Sequence, residues 1–326
     1  MQTLNAEYFI NGIIARDISV LSRAITLVES TKEEHQKTAE KVIDGVIERT
    51  GRSFRLGITG VPGVGKSTFI ESFGLELANS GKRVAILAID PSSQKSKGSI
   101  LGDKTRMEKL SVHPDVYIRP SPSSGTLGGV AQKTFESILL CEAAGFDFII
   151  IETVGVGQSE IAISQMTDFF LLLMLAGAGD ELQGIKRGIM EMADTVVITK
   201  ADGNNIQKAK NARTEYAHAL HLFPPTESGW IPKAEICSAI TNEGISKVID
   251  IIEEYKRLAI TNGYFERKRK AQLKEWMHHS IAEKLKEKFY NDSAVRAQLK
   301  TIEAQLESGN INPYKLASEL LSKWKS

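Results

Sequence analysis

Residues 56–74 read LGITGVPGVGKSTFIESFG, and the order of small and charged residues here decides the fold. A short apolar run ends at Gly60, and a helical pattern opens near Lys66. Between them runs the spacing G-x-x-x-x-G-K-S, with Gly60, Gly65, Lys66 and Ser67 in register and a further hydroxyl at Thr68. Gly60, Gly63 and Gly65, alternating with Val61, Pro62 and Val64, let the backbone curl until its N–H groups face inward. The helix that follows turns its positive end to the same point. Such a loop holds phosphate. Lys66 supplies a charge for the β and γ phosphates, and Ser67 supplies a hydroxyl for Mg²⁺.

Outward from this loop, between about 54 and 255, short β-branched runs alternate with helical stretches. The runs are FRLGIT, RVAILAID, VYIRP, FDFIIIET, DFFLLLML, DTVVITK and AEICSAI. They are apolar on both faces, as strands of a covered parallel sheet are. The alternation predicts an α/β fold: a P-loop NTPase domain with a doubly wound, mostly parallel sheet. Residues 1–50 read as an N-terminal helical extension. Ile18, Leu21, Ile25 and Val28 recur at helical spacing behind an Asp17 cap, and a second helix is expected over about 32–49. The P-loop domain takes 51–262, and 263–326 form a C-terminal helical arm. In that arm Leu273, Trp276, Met277, Ile281 and Leu285 share one side. The basic run Arg267–Lys270 reads as a solvated helix face, since Glu266 and Glu275 flank it.

The 326 residues are 42% hydrophobic and 25% charged, with a formal net charge of +1. No global field points to nucleic acid or to an anionic membrane. Cys141 and Cys237 form no C-x-x-C pair and sit in strand or helix patterns, as small core residues do. The N-terminus lacks a signal-peptide pattern. The most apolar run, DFFLLLMLAGAG, has about half of the roughly 20 residues a membrane span needs. A soluble, cytoplasmic protein is expected, with no nucleic-acid and no membrane partner.

Metal-assisted phosphoryl transfer needs acids around Mg²⁺ and a sensor of the γ phosphate. Asp90 ends the strand VAILAID, at the edge where parallel sheets bind ligands; the plainer reading is a turn cap beside Pro91. Asp103 in GSILGDKTRM is a second candidate, or a helix cap. The run FDFIIIETVGVGQSE delivers Glu152, then Gly155, in the spacing of D-x-x-G with a longer acid. Glu152 is a candidate for holding the metal through water, and Gly155 for the sensing amide. Gln158 or Glu160 could orient the attacking water; a flexible loop is the alternative for Gln158. Lys186 and Arg187 in DELQGIKRG are either neutralisers of transition-state charge or solvated surface.

Base choice is read further along. After VVI comes Thr199-Lys200-Ala201-Asp202. A carboxylate at Asp202 accepts from guanine N1–H and the 2-amino group, and adenine leaves it unpaired, at about 1–3 kcal/mol if buried. Lys200 can lay its stem along the base. Ser238, Ala239 and Ile240 follow another strand, where backbone N–H groups can meet guanine O6.

Taken together, GVPGVGKSTFIE, AIDPSS, GSILGDKTRM, RPSPSSGTLGGVAQKT, LLCEAAGFDFIIIETVGVGQSE, LLMLAGAGDELQGIKRGIMEMAD and TKADGNN resemble the MeaB/ArgK family, the methylmalonyl-CoA mutase-associated G proteins that include the human methylmalonic aciduria type A protein. The resemblance covers about residues 20–320. It implies a homodimeric GTPase that binds GTP/GDP and Mg²⁺ and serves as chaperone of an adenosylcobalamin-dependent acyl-CoA mutase, gating cofactor loading and protecting the enzyme. It implies that Gly60 to Thr68 bind the triphosphate, Asp202 the guanine and Ser238 to Ile240 its carbonyl, with Asp90, Asp103 and Glu152 around the metal. It also implies that DELQGIKRG, with Lys186, is a third switch segment answering to the mutase. One departure is Thr199, where the family usually has Asn. Signal-recognition-particle GTPases carry T-K-x-D and read guanine, so the open point is a purine N7 contact. Three other readings compete: an ATP-using kinase linked to basic amino acid transport, a metal-insertion GTPase, and a scaffold holding nucleotide structurally. Position 61 is Val, which sets the loop apart from the lysine-bearing loops of partitioning ATPases.

Overall fold

The computed structural model describes residues 5–90, 107–122, 127–153, 158–177, 183–307, 309 and 312–324, with backbone alone at 89–90, 121–122, 127–128, 158–159 and 183–187. It divides into two compact units, Met1–Gln272 and Leu273–Ser326.

The first unit is organised on a parallel sheet. Its strands are β1 (Phe54–Gly60), β2 (Val84–Asp90), β3 (Val116–Pro122), β4 (Phe148–Thr153), β5 (Phe169–Leu175), β6 (Thr195–Thr199) and β7 (Lys233–Ile236). Their order is β3-β2-β4-β1-β5-β6-β7, and each neighbouring pair runs parallel. β1, fully buried, lies between β4 and β5. The chain works outward from it to β3 on one side, then returns through β4 and builds the other side. Such a reversal of winding opens a crevice at the C-terminal strand ends.

Side-chain alternation along β1 divides the two faces. Leu56 and Ile58 pack with Phe69, Ile70 and Phe73 of α4 (Lys66–Asn79) and with Val248, Ile252 and Tyr255 of α10 (Ile245–Thr261). Each fully buried side chain of this kind contributes about 1.5–3 kcal/mol. The opposite face of β1 meets α6 (Leu127–Ala143) and α7 (Gln158–Ser164), which lie beyond the short α5 (Glu108–Ser111). On that face a methyl at Gly57 would stand 2.8 Å from the Phe170 ring and 3.0 Å from Ile163, so the strand tolerates only hydrogen there. α8 (Gln183–Met192) and α9 (Ile206–Leu220) follow β5 and β6, and Ala209, Ala212 and Leu220 of α9 close a second core over Val196 and Ile198.

The N-terminal helices are α1 (Ala6–Ile14), α2 (Ile18–Glu29) and α3 (Glu33–Val46). Asp17 caps α2 as expected, accepting from Ser19 and Val20 N–H. These helices belong to the same unit as the sheet. Arg119 of β3 pairs with Glu29, and Lys133 of α6 donates to the Glu29 carbonyl at 2.5 Å.

The basic run Arg267–Lys270 is a solvated face only in part: Arg267 and Lys270 are exposed, whereas Lys268 and Arg269 turn into the fold. The run lies in the first turns of α11 (Tyr264–Asn291), beneath the N-terminal strand ends. Arg269 donates to both oxygens of Asp168 at 2.5 and 2.7 Å, to Glu142 at 2.8 Å and to the Ser53 carbonyl at 2.7 Å. Arg55 makes a two-pronged pair with the same Glu142 at 2.9 Å. Lys268 donates to the Asp168 carbonyl, and Gln272 to that of Thr167, each at 2.8 Å. Burial pushes the Glu142 carboxyl up, but Arg55 and Arg269 outweigh it and hold it below the ordinary range. Flanking charges in the sequence gave no sign of this, because the partners lie about a hundred residues or more away.

Asp194, just before β6, behaves in the opposite sense. Its carboxylate accepts from Phe170 N–H at 2.8 Å, yet burial raises its pKa from 3.8 to about 6, with Asp168 adding to the rise and Lys268 opposing it. The folded state therefore holds this proton more tightly than the unfolded chain. The contribution to stability is full below the unfolded value and is lost as pH rises through about 6. Asp194→Asn keeps an acceptor for Phe170 and removes the titration. We expect it to raise stability relative to wild type at pH 7, with the gain shrinking toward pH 4 in denaturant melts; a pH-independent difference would contradict the assignment.

In the second unit, α12 (Ser293–Glu307) and α13 (Pro313–Lys323) close a small core with the end of α11. Phe289, Val295 and Leu320 are its buried members, and Phe289 meets Trp324 edge-on at 5.2 Å. A cavity of about 570 Å³ is lined by Leu299, Ile302, Leu316 and other apolar groups. Along α11, Trp276 is buried, whereas Leu273, Met277, Ile281 and Leu285 stay about half exposed (49–52%) at every fourth position. Among the described residues, no helix is long and apolar enough to cross a membrane.

Candidate nucleotide site

The loop between β1 and α4 has the backbone its sequence requires. Gly63 and Gly65 take φ of +77° and +90°, a region that costs a side-chain-bearing residue. At Gly60 the constraint is space: a Cβ would come within 2.6 Å of the Leu173 carbonyl. A Val64 N–H to Val61 carbonyl bond of 3.2 Å closes the turn. Val64 is fully buried and Val61 nearly so, which anchors the loop from below. Pro62 and Gly63 are exposed at its tip.

Lys66 opens α4 and folds back over the loop, donating to the Gly60 carbonyl at 2.9 Å and reaching the Val61 carbonyl at 3.5 Å. Burial lowers its pKa, while the charges of Glu152 and Glu160 act to raise it. Both carboxylates are buried. Glu152 arrives at the end of β4 as predicted. The β1 and β4 ends are tied by a Thr153 hydroxyl donating to Thr59 at 2.8 Å. Glu160, in the first turn of α7, stood in the sequence only as an alternative to Gln158; its burial and its field on Lys66 bring it to the cradle. Ser67 is half-buried and Thr68 exposed.

The residues expected to read the base converge from two strand ends. Ser238, fully buried, donates to Asp202 at 2.6 Å and accepts from Thr241 N–H at 3.2 Å. The loops are joined through backbone bonds from Ala201 to Cys237 and from Cys237 to Ile198. Thr199 does something sequence reasoning missed. Its buried hydroxyl donates to the Val64 carbonyl of the cradle at 2.7 Å. Lys200 does the same from the surface, donating to the Gly63 carbonyl at 2.9 Å. The Thr199 group that replaces Asn is thus engaged with the phosphate loop. Ser72 of α4 donates to the Ala239 carbonyl at 2.8 Å. Ile240 is 79% exposed.

Other predicted residues lie partly or wholly outside the described atoms. Asp90 ends β2, Gln158 starts α7 and Lys186 lies on α8, each with backbone alone; Asp103 and Gly155 fall outside the described residues. Cys141 and Cys237 are buried thiols, with burial pushing Cys237 up to about 12 and Cys141 higher. Neither is a ligand candidate. Among the described residues, no three His, Cys, Asp or Glu side chains group to hold a metal.

A glycine cradle at the centre of a parallel sheet, with a lysine folded over it and an acid at the adjoining strand end, defines a P-loop nucleoside triphosphatase. Comparison with known proteins narrows the class. Residues 21–294 match the model of the methylmalonyl-CoA mutase-associated GTPase MeaB. A probable GTPase of Mycobacterium tuberculosis is 46% identical over 305 residues, spanning 94% of this chain and 91% of the relative. The mouse mitochondrial methylmalonic aciduria type A homolog is 46% identical over 325 residues, covering 97% and 78%. GTPase ArgK of Escherichia coli is 43% identical over 296 residues, covering 90% and 89%. A crystal structure described as a LAO/AO transport system kinase superposes with a TM-score of 0.77 at 33% identity, over 99% of this chain and 98% of the other. The chain belongs to the MeaB family of P-loop GTPases, which bind GTP and GDP and are associated with methylmalonyl-CoA mutase.

Proposed function

We propose that this protein is a GTP-driven chaperone of an adenosylcobalamin-dependent acyl-CoA mutase, most directly methylmalonyl-CoA mutase, and that its nucleotide state gates cofactor loading. The family match over residues 21–294 carries the client assignment. In this reading the amides of Gly60 to Thr68 cradle the triphosphate, and Lys66 leaves the Gly60 carbonyl to meet the β and γ oxygens. Asp202, held by Ser238, accepts from guanine N1–H and the 2-amino group. Gly155 and Gln158 contribute the γ-phosphate sensor and water orientation, and Lys186 charge neutralisation.

A hydroxyl at the start of α4 and a buried carboxylate at the end of β4 suit Mg²⁺, which takes few protein oxygens and keeps waters. Ser67 would hold it directly, with Glu152, Asp90 and Asp103 around its waters. When bound, the ion would supply neutralisation of the phosphate charge.

The protein acts as a homodimer in this reading. The half-exposed stripe Leu273, Met277, Ile281 and Leu285 offers a second copy an apolar ridge at helical spacing.

The test mixes purified methylmalonyl-CoA mutase with this protein in its GDP state and in a non-hydrolysable GTP state. A complex whose affinity differs between the two states is expected; absence of a complex in both overturns the client. At the base site, Asp202→Asn should weaken GTP binding by about 10–100-fold, from loss of charge-assisted bonds, and improve binding of XTP. Thr199→Ala should weaken all nucleotides by a similar small factor, because its bond goes to the cradle. Equal effects of the two substitutions on GTP with no gain for XTP would contradict these roles.

A further inference from the structure

Ser72 is a polar residue in the middle of a helix whose other faces build the core. Phe69, Ile70, Phe73 and Leu77 of α4 are all buried. A serine inside a helix commonly bonds the carbonyl one turn back. Ser72 instead donates across the fold to the Ala239 carbonyl, 2.8 Å away and 167 positions along the chain. This carbonyl lies in the Ser238–Ile240 loop that also carries the contact to Asp202.

The bond fixes more than one atom. A peptide unit is planar and trans, so its C=O and the next N–H point in opposite directions. Pinning the Ala239 carbonyl toward α4 therefore aims the Ile240 N–H away from α4. Ser238 fixes the front of the loop through Asp202 and Thr241 N–H, and Ser238 N–H bonds the Glu243 carbonyl at 2.9 Å. At the back, Gly244 at φ +81° closes the loop, where a Cβ would lie 2.3 Å from the Ile236 carbonyl. Between these anchors, no described residue accepts from the N–H groups of Ala239 or Ile240. The middle peptide is steered by Ser72.

We propose that Ser72 is a positioning residue for guanine recognition: by holding the Ala239 carbonyl it orients the Ile240 amide toward the 6-oxo group of the base. The inference rests on the base-site reading above and adds a residue from the phosphate-binding helix to it. Asp202 reads the 2-amino edge, and the loop steered by Ser72 reads the 6-position. The two edges of the base are then read by two loops tied together through Ser238, one of them also anchored to the helix of the cradle.

The experiment measures GDP dissociation rates and the affinities of the triphosphates of guanosine, inosine and 2-aminopurine riboside in wild type, Ser72→Ala, Ser72→Thr and Asp202→Asn, with thermal melts of each. Inosine keeps the 6-oxo group and lacks the 2-amino group; 2-aminopurine is the reverse. Ser72→Ala is expected to speed GDP release about fivefold to tenfold, the effect of one hydrogen bond. It should weaken guanosine and inosine triphosphates equally and leave the 2-aminopurine compound within twofold. Ser72→Thr should restore wild-type behaviour. Equal weakening of all three compounds would mean a structural role and overturn the proposal, as would GDP release within twofold of wild type. Should Ser72→Ala melt well below wild type, the ratio of inosine to 2-aminopurine affinity in the folded fraction still decides. Asp202→Asn must change the ratio of guanosine to inosine affinity. If it does not, the base-site reading fails and the Ser72 assignment falls with it; if it does while Ser72→Ala is silent, only the latter is lost.

Discussion

Replacing Lys66 with alanine is expected to reduce GTP hydrolysis by about 10²–10³-fold, the usual cost of removing one donor aimed at developing negative charge. The reason lies in how the side chain is prepared. Its ammonium is half-sunk over the loop, burial lowers its pKa, and Glu152 and Glu160 act to keep it charged. Its bonds to the Gly60 and Val61 carbonyls hold it within reach of any phosphate in the cradle. Single-turnover phosphate release at saturating GTP reads the effect, and an unchanged thermal melt separates it from unfolding. Lys66→Arg should recover little, since a planar fork does not replace a compact point charge. Phosphate release within threefold of wild type in Lys66→Ala would show that the lysine is not part of the chemistry.

The second large effect lies at the other edge of the sheet. Arg269→Ala should destabilise the first unit by about 3–5 kcal/mol, because breaking a buried ion network strands its remaining charges. Asp168 is 1% exposed and Glu142 2% exposed, so neither can turn to water. Arg55 would still neutralise Glu142; Asp168 would lose both side-chain bonds to Arg269. The Glu142 carboxyl titrates below its ordinary range, so its share of stability is present at neutral pH and lost as pH falls through the folded value. The penalty of Arg269→Ala should accordingly be largest at pH 7 and shrink in acid. Urea unfolding followed by tryptophan fluorescence measures it, through Trp230 beside Tyr255 in the core. A double substitution with Asp168→Asn should cost much less than the sum of the two singles. A loss under 1 kcal/mol would mean that solvent reaches this network.

Which parts of this were legible in the sequence follows from distance along the chain. The cradle is a local motif: glycine spacing, strand before and helix after are set within 19 residues, and the fold reproduces them. The strands were legible because both-face apolar runs have few other uses. Ser238 and Asp202 each follow a strand, β7 and β6, as the sequence pattern indicated. What escaped was the long-range pairing. Arg269 looked like a solvated residue among like charges, yet its partners come from the residue before β1, from α6 and from the turn before β5. A hint existed in the lone acid of LLCEAAGF, since Glu142 inside an apolar run needs a buried partner. Thr199 carried a different ambiguity. A departure from the expected Asn suggested a lost contact to the base, whereas its hydroxyl serves the cradle. Ser72 gave no signal at all, because a serine on a helix is ordinary until its partner is known. On α11 the helical period was right, but Trp276 is buried while the residues at 273, 277, 281 and 285 are about half exposed.

The parallel sheet places nucleotide chemistry at one rim and the ion network at the other, with about seven layers of residues between them. Genetic lesions should sort along the same axis. A change at Lys66 or Asp202 would leave a normal quantity of protein that is idle, while one at Arg269 or Asp168 would leave competent protein in short supply. In a cell the two are distinguishable by immunoblot alone, and only the second class would respond to lower growth temperature or to a compound that merely binds the folded state.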